Sequence, residues 1–198
     1  LSGGRAQCGL GAAWFAREHE LYGWDFPPRG ERYARLEDAL ELLPLMWGPG
    51  APRFDGRRIT VAEATCYPRP LQERIPILVG GSGERRTLRL VARHADACNL
   101  FGDPETVRHK VAVLREWCDV EGRDPAAVRI THLAAARVIA DGEQRTGPGA
   151  ATVTEHVGRY RELADAGVQT AIVGLGDADG PDSVRRFADV VAAFAARS

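Results

Sequence analysis

Cysteine is scarce in this chain and unpatterned. Cys8, Cys66, Cys98 and Cys118 are the only four, and no two stand in a C-x-x-C pair. Neither a disulfide framework nor a thiolate metal site is indicated; reduced, mostly buried thiols in a cytoplasmic protein are expected. The five histidines are scattered, with no H-E-x-x-H or similar pair, so no metal site is expected. No apolar run approaches the roughly 20 residues of a membrane span, and no signal-peptide pattern precedes the first strand. No basic stripe stands apart from the acidic residues. The net charge is −1, which argues against nucleic acid as the main partner.

What is present suffices for one sizeable soluble domain: 198 residues, 44% of them hydrophobic. The first residue is Leu1 rather than methionine, and a strand begins almost at once. The expectation is therefore the C-terminal part of a longer chain.

The rest is organised around residues 75–99. Ile77, Leu78 and Val79 have the composition of a strand buried on both faces. Gly80, Gly81 and Gly83 then allow a tight turn that presents backbone N–H groups, and Ser82 adds a hydroxyl. A helix follows, with Leu88 and Val91 on one side and Arg85, Arg86, Arg89 and Arg93 around the rest. A second strand occupies residues 97–99. The glycine loop thus ends a strand and opens a helix, which is where parallel α/β folds bind ligands and where anions are favoured. Residues 80–84 are read as a phosphate loop, against the plainer reading of an ordinary strand-to-helix turn. Glu84 is expected to point away from the anion and favour the helix N-terminus, with Arg85 or Arg86 supplying positive charge.

Elsewhere, residues 15–21 and 31–47 read as helices. The second carries an apolar stripe at Tyr33, Leu36, Leu40, Leu43 and Trp47, and Pro44 is expected to kink it or end it early. A hairpin around Asp55-Gly56 and a proline-rich excursion lead to the central strand. Asp103 and Pro104 open a helix that Gly122 ends. Thr152 and Glu155 form a capping box, and Gly180-Pro181 introduces a last amphipathic helix. Strands fall near residues 6–10, 77–79, 97–99, 129–139 and 168–173. The repeated β-α order means a parallel α/β fold. Both an open doubly wound sheet and a (β/α)8 barrel fit; a barrel needs about 250 residues and eight units, so five units suit one lacking its first three.

The run S-G-G-R-x-x-x-G-L-G-A-x-W at residues 2–14 resembles the fourth-strand motif of the bacterial-luciferase-like family. P-P-R-G-E-R at 27–32, F-D-G-R at 54–57 and P-I-L-V-G-G-S-G-E-R-R-T-L-R-L-V-A-R-H-A-D-A-C-N at 76–99 continue the likeness. G-D-P-E-T-V-R-H-K at 102–110 and G-R-D-P-A-A-V at 122–128 are similar to its probable coenzyme F420-dependent oxidoreductases. The resemblance implies a (β/α)8 TIM barrel. Residues 1–198 would form a single barrel domain holding strands 4–8. It also implies F420, or alternatively FMN, at the strand ends, with hydride chemistry on a small-molecule substrate or, in flavin members, oxygen insertion. Carried over by position, Gly80, Gly81, Ser82, Gly83 and Glu84 would sit at the cofactor phosphate, and Gly11, Ala12, Ala13 and Trp14 near the same cofactor. Asn99 ends a strand on that face and is a further contact. The family commonly has glycine where this chain has Ala13. No catalytic acid is identified; Glu18 and His19 follow Trp14, but a solvated helix face is the plainer reading for both. A non-catalytic cofactor-binding chain is the alternative class. Exposed strand edges in a five-unit piece predict self-association, and a homodimer is compatible with the sequence.

Overall fold

In the computed structural model, which describes residues 2–175 and 181–196, the apolar runs become the parallel strands that the β-α order implies. β1 (Cys8–Leu10) pairs with β4 (Ile77–Gly80), β4 with β5 (Ala97–Leu100), and β5 with β6 (Arg129–Val138). β8 (Thr170–Leu175) lies along the other side of β6. Every pairing is parallel, so the core order is β1-β4-β5-β6-β8. The helices are α1 (Ala16–Tyr22), α2 (Arg29–Trp47), α3 (Thr87–His94), α4 (Pro104–Val120), α5 (Val153–Asp165) and α6 (Pro181–Ala195).

The main core forms where α3 and α4 lie on this sheet. Leu88, Val91 and Ala92 of α3 and Val107, Val111, Leu114 and Cys118 of α4 meet Ile77, Val79, Cys98, Leu100 and Ile130. Each fully buried leucine or valine here contributes about 2 kcal/mol through removal from water. The caps read from sequence are present. Asp103 Oδ1 accepts from the Thr106 N–H at 2.7 Å, and Thr152 and Glu155 close a reciprocal box.

Two expectations need correction. Pro44 does not end α2 early: it sits on the exposed side, and the helix continues to Trp47. Arg69 then takes the last carbonyls, donating to those of Met46 (2.9 Å), Gly48 and Gly50 (2.6 Å), where a cation also suits the helix dipole. The last strand runs from 170 to 175 rather than 168 to 173, because the Val168 N–H closes back on Leu163 O at the end of α5. The loop at 141–151 ends in a short strand, β7 (Ala150–Ala151), paired with the far end of β6. Gly176 and Gly180 lie outside the described residues.

The excursion between α2 and β4 has a core of its own. β2 (Phe54–Asp55) and β3 (Thr60–Val61) form an antiparallel pair. Phe54 and Ala64 bury themselves against Leu42. The joint is Asp38 of α2, a buried carboxylate that accepts the backbone N–H groups of Arg57 (3.0 Å), Arg58 (2.6 Å) and Ile59 (2.9 Å). A Cβ at Gly56 would stand 2.5 Å from Asp38 Cγ, so F-D-G-R encodes this joint. At its other end the excursion returns to the sheet. Gln72 donates to Ala6 O and accepts from Ala6 N–H, both at 3.0 Å, as a neighbouring strand would.

Candidate functional site

Strand register decides what meets at the C-terminal ends. Ile77, Val79, Cys98, Leu100 and Ile130 pack toward the helices, so the alternate residues Leu78, Gly80, Ala97, Asn99 and Thr131 face the other way. Gly80, Asn99, Thr131 and Thr170 lie side by side in one row across four strands. The Thr131 hydroxyl donates to Asn99 Oδ1 at 2.8 Å. That bond fixes the amide and leaves its NH2 without a recorded partner among the described residues. Beside this row the first loop brings Gly11 against Gly80. A Cβ on Gly11 would come no nearer than 3.7 Å to Gly80 O, and one on Gly80 no nearer than 3.9 Å to Leu10 O. The protein's own packing does not require glycine at either position. What the two glycines provide is an uncovered patch of strand ends, next to an amide with free donors.

The glycine loop adjoins this patch. Gly81 has φ +123°, a conformation that side chains rarely adopt, and its N–H donates to Asn99 O at 3.2 Å. Gly83 is held open by contact: a Cβ there would stand 2.9 Å from Thr87 Oγ1 and 3.3 Å from the Tyr33 hydroxyl. These two oxygens are themselves 2.8 Å apart in a hydrogen bond that ties α2 to the first residue of α3. The helix begins at Thr87, after a turn at 84–86. Its N-terminus has no side-chain cap, and the Leu88 N–H reaches back to Gly83 O at 3.0 Å.

Glu84 turns out of the loop, though its target is α4 rather than the N-terminus of α3. Its carboxylate accepts from Lys110 Nζ and from His109 Nε2 (3.0 Å), and its carbonyl accepts the Trp117 indole N–H at 2.8 Å. The Lys110 bond first, then that of His109, holds the Glu84 carboxyl below its usual range. Around the loop lies a cleft of about 590 Å³ whose lining includes Ser82, Gly83, Arg29, Arg85, Arg86 and Lys110. Both arginines expected from sequence are there; Arg29 is an addition that only the approach of α2 to α3 reveals. Arg29 and Arg86 lie over the same Tyr33 ring, 5.7 and 5.6 Å from its centroid. None of Arg29, Arg85 and Arg86 has an ion-pair partner recorded among the described residues, whereas most other arginines near them do. Cations left unpaired around backbone donors suit a phosphate.

The loop after β1 is held by Arg32. Its guanidinium donates to the carbonyls of Ala12 (3.2 Å), Ala13 (2.5 Å) and Pro27 (3.1 Å), and lies 4.1 Å from the Phe26 ring centroid. The second arginine of P-P-R-G-E-R is thus a loop clamp. Ala13 has φ +54°, the one non-glycine residue with positive φ among those described, a conformation that glycine adopts without the strain a Cβ brings. Ala13→Gly is expected to raise stability by about 1 kcal/mol, read as a melting temperature a few degrees higher. An unchanged or lower value would contradict the strain. Trp14 is 86% exposed beside this loop, its ring tilted against that of Phe15 at 5.3 Å, so it is not a core residue. Glu18 is exposed, and His19 packs edge-on against Phe26 at 4.9 Å. The four thiols are free, and burial pushes Cys98 up to about 12, which keeps it protonated and unreactive.

Comparison with known proteins follows the same lines. A family model of luciferase-like monooxygenases matches residues 1–169. A protein of Mycobacterium tuberculosis (strain ATCC 25618 / H37Rv) is 30% identical over 124 residues, 63% of this chain and 43% of that protein. An F420-dependent glucose-6-phosphate dehydrogenase of Microbacterium testaceum (strain StLB037) is 33% identical over 110 residues, 54% of this chain and 32% of the relative. The chain thus spans less than half the length of these curated relatives. Among solved structures, an F420-dependent secondary alcohol dehydrogenase in complex with an F420-acetone adduct superposes with a TM-score of 0.80 at 17% identity. That match covers 96% of this chain and 70% of the other, and at such identity it establishes the fold: parallel α/β of the luciferase-like barrel type. Among the described residues no helix is long and apolar enough to cross a membrane. With a family match that extends over most of its residues, the chain belongs to the luciferase-like monooxygenases.

Proposed function

We propose that this chain builds the phosphate side of a coenzyme F420 site in an oxidoreductase that moves a hydride between the cofactor and a small organic substrate. In this reading its five core strands are the fourth to eighth of one (β/α)8 barrel. The observation that carries it is the pairing of the Gly80–Gly83 loop with three arginines, Arg29, Arg85 and Arg86, that have no carboxylate partner among the described residues. F420-dependent relatives and structural neighbours support the choice of cofactor.

When bound, the deazaflavin supplies the hydride chemistry, which no side chain offers. The protein's part is to bind and to orient. Backbone N–H groups of the loop and the Arg85 and Arg86 guanidinium groups hold the phosphate. Gly11 and Gly80 leave the adjoining strand ends uncovered for a flat ring. The Asn99 amide, fixed by Thr131, presents its NH2 donors at the edge of that patch. Lys110, engaged by Glu84, contributes charge at the rim.

Titration of F420 and FMN in parallel, followed by fluorescence and absorbance, tests this. F420 is expected to bind more tightly, and Arg85→Gln/Arg86→Gln to weaken it by about tenfold through loss of two charge-assisted contacts. FMN preference, binding of neither, or an unaffected double variant would overturn the proposal.

A further inference from the structure

A carboxylate lines the cleft at the glycine loop. Arg29, Arg85, Arg86 and Lys110 bring cations there, and Glu84 is the one acid in the lining among the described residues. As a ligand for an anion it is of no use, since an ionised carboxylate only accepts hydrogen bonds and repels a phosphate. Nor does the local fold need its charge. Residue 84 is tied to α4 through its backbone carbonyl as well, which accepts the Trp117 indole N–H, and a neutral side chain of the same shape would leave that bond in place.

What the carboxylate does is hold Lys110. Glu84 Oε1 accepts from Lys110 Nζ and, at 3.0 Å, from His109 Nε2, so two donors share one oxygen. The Lys110 side chain is 18% exposed, against 41% for Glu84 and 60% for His109. Its stem is packed, so the ammonium has little room to leave the carboxylate for another anion. His109 meets Glu84 from α4, with Lys110 beside it, Glu105 one turn earlier on the same helix, and Arg85 following Glu84 in the loop. The Lys110 bond, and after it that of His109, keeps the Glu84 carboxyl ionised below its usual range.

Phosphates present one charge or two. A monoester carries a second negative charge above about pH 6, where its second ionisation falls; a diester carries one charge throughout. Each ligand charge gains from a free cation and loses to a nearby anion. Withdrawing Lys110 and leaving a carboxylate beside the cleft therefore costs a dianion about twice what it costs a monoanion.

We propose that Glu84 is a positioning residue that sets the charge the cleft accepts: by holding Lys110 back from the ligand, it fits the site to a singly charged phosphodiester and against a doubly charged monoester. This rests on the phosphate reading of residues 80–84 and adds the class of phosphate that the loop takes.

Two probes with a common ring test it: FMN, a monoester, and riboflavin 4′,5′-cyclic phosphate, a diester. Both are titrated by fluorescence into wild type, Glu84→Gln and Lys110→Gln at about pH 8 and about pH 5. At the higher pH wild type is expected to bind the diester more tightly. Glu84→Gln should raise FMN affinity about tenfold and diester affinity about threefold, as repulsion is lifted and Lys110 released. Lys110→Gln leaves Glu84 uncompensated and should shift the FMN-to-diester ratio the opposite way. At the lower pH FMN carries one charge, and the two ligands should respond alike to Glu84→Gln. A change in His109 over this range acts on both, and the diester reports it; loss of loop shape alone would weaken both ligands at either pH. Tighter binding of FMN to wild type at the higher pH, or equal gains for the two ligands there, overturns the selection and leaves the phosphate loop and its cofactor standing. Should neither flavin bind, methyl phosphate and dimethyl phosphate, followed by phosphorus NMR, decide: a gain on Glu84→Gln confined to the monoester, or larger for it, supports the selection, and binding of neither removes the phosphate loop as well.

Discussion

Asp38→Ala is expected to lower unfolding stability by about 3 kcal/mol, because three backbone N–H groups lose a charged acceptor at a buried joint. These are the donors of Arg57, Arg58 and Ile59, which have no other acceptor among the described residues. Gly56→Ala should approach the same cost from the other side, by driving a Cβ to 2.5 Å from the carboxylate carbon. The effect carries a pH signature. Burial opposes ionisation of Asp38, but the N–H groups of Arg58, Arg57 and Ile59, with the nearby Arg57 charge, outweigh it and bring the carboxyl below the usual 3.8. A group with a depressed folded-state value stabilises fully above its unfolded value and loses that contribution as pH falls through the folded one. The difference between wild type and Asp38→Asn should hold steady from neutral pH down to about 4 and shrink below it. Urea melts at a series of pH values read this directly. An Asp38→Ala protein that melts like wild type would show that the hairpin is not held this way.

Gly81→Val is the second substitution with a large expected effect, here on ligand affinity. Valine at φ +123° is strained in any environment, at a cost of about 2 kcal/mol. Its Cβ would also meet Thr87 Cγ2 at 3.3 Å. The loop must therefore shift, breaking the Gly81 N–H bond to Asn99 O and displacing Ser82 and Gly83 in the cleft they line with Arg85 and Arg86. F420 affinity is expected to fall by about a hundredfold, as when two or more charge-assisted donors are lost together. A thermal melt run alongside separates loss of the site from loss of the fold. A variant that melts cooperatively and binds F420 as wild type does would remove the loop from the cofactor site.

Much of the fold is legible in the chain because its signals are local. The short apolar run at 77–79, Asp103 before Pro104, and the Thr152–Glu155 box each act within a turn or a strand, and the structure has them where the sequence places them. Pro44 misleads for the opposite reason. Its effect depends on which side of α2 it occupies, and the packing of Leu36, Leu40 and Leu42 sets that. The family motifs are legible as a resemblance but not as chemistry. Arg32 in P-P-R-G-E-R proves to clamp the Ala12 and Ala13 carbonyls, and Gly56 in F-D-G-R to make room for Asp38. These partners are about 20 residues apart, beyond the reach of any periodicity.

The sequence by itself determined a parallel α/β chain of luciferase-like type and a glycine loop at a strand end, with arginines after it. Those features are written in composition, spacing and motif order. Tertiary structure alone decided where the charges point. It turned Glu84 to Lys110 and His109 and brought Arg29 in from a helix more than 50 residues upstream. The reason is physical: an ion pair or a groove exists only between elements, and which arginine finds a carboxylate depends on how two helices are packed. The sequence names the charges; the packing decides which of them remain for a ligand.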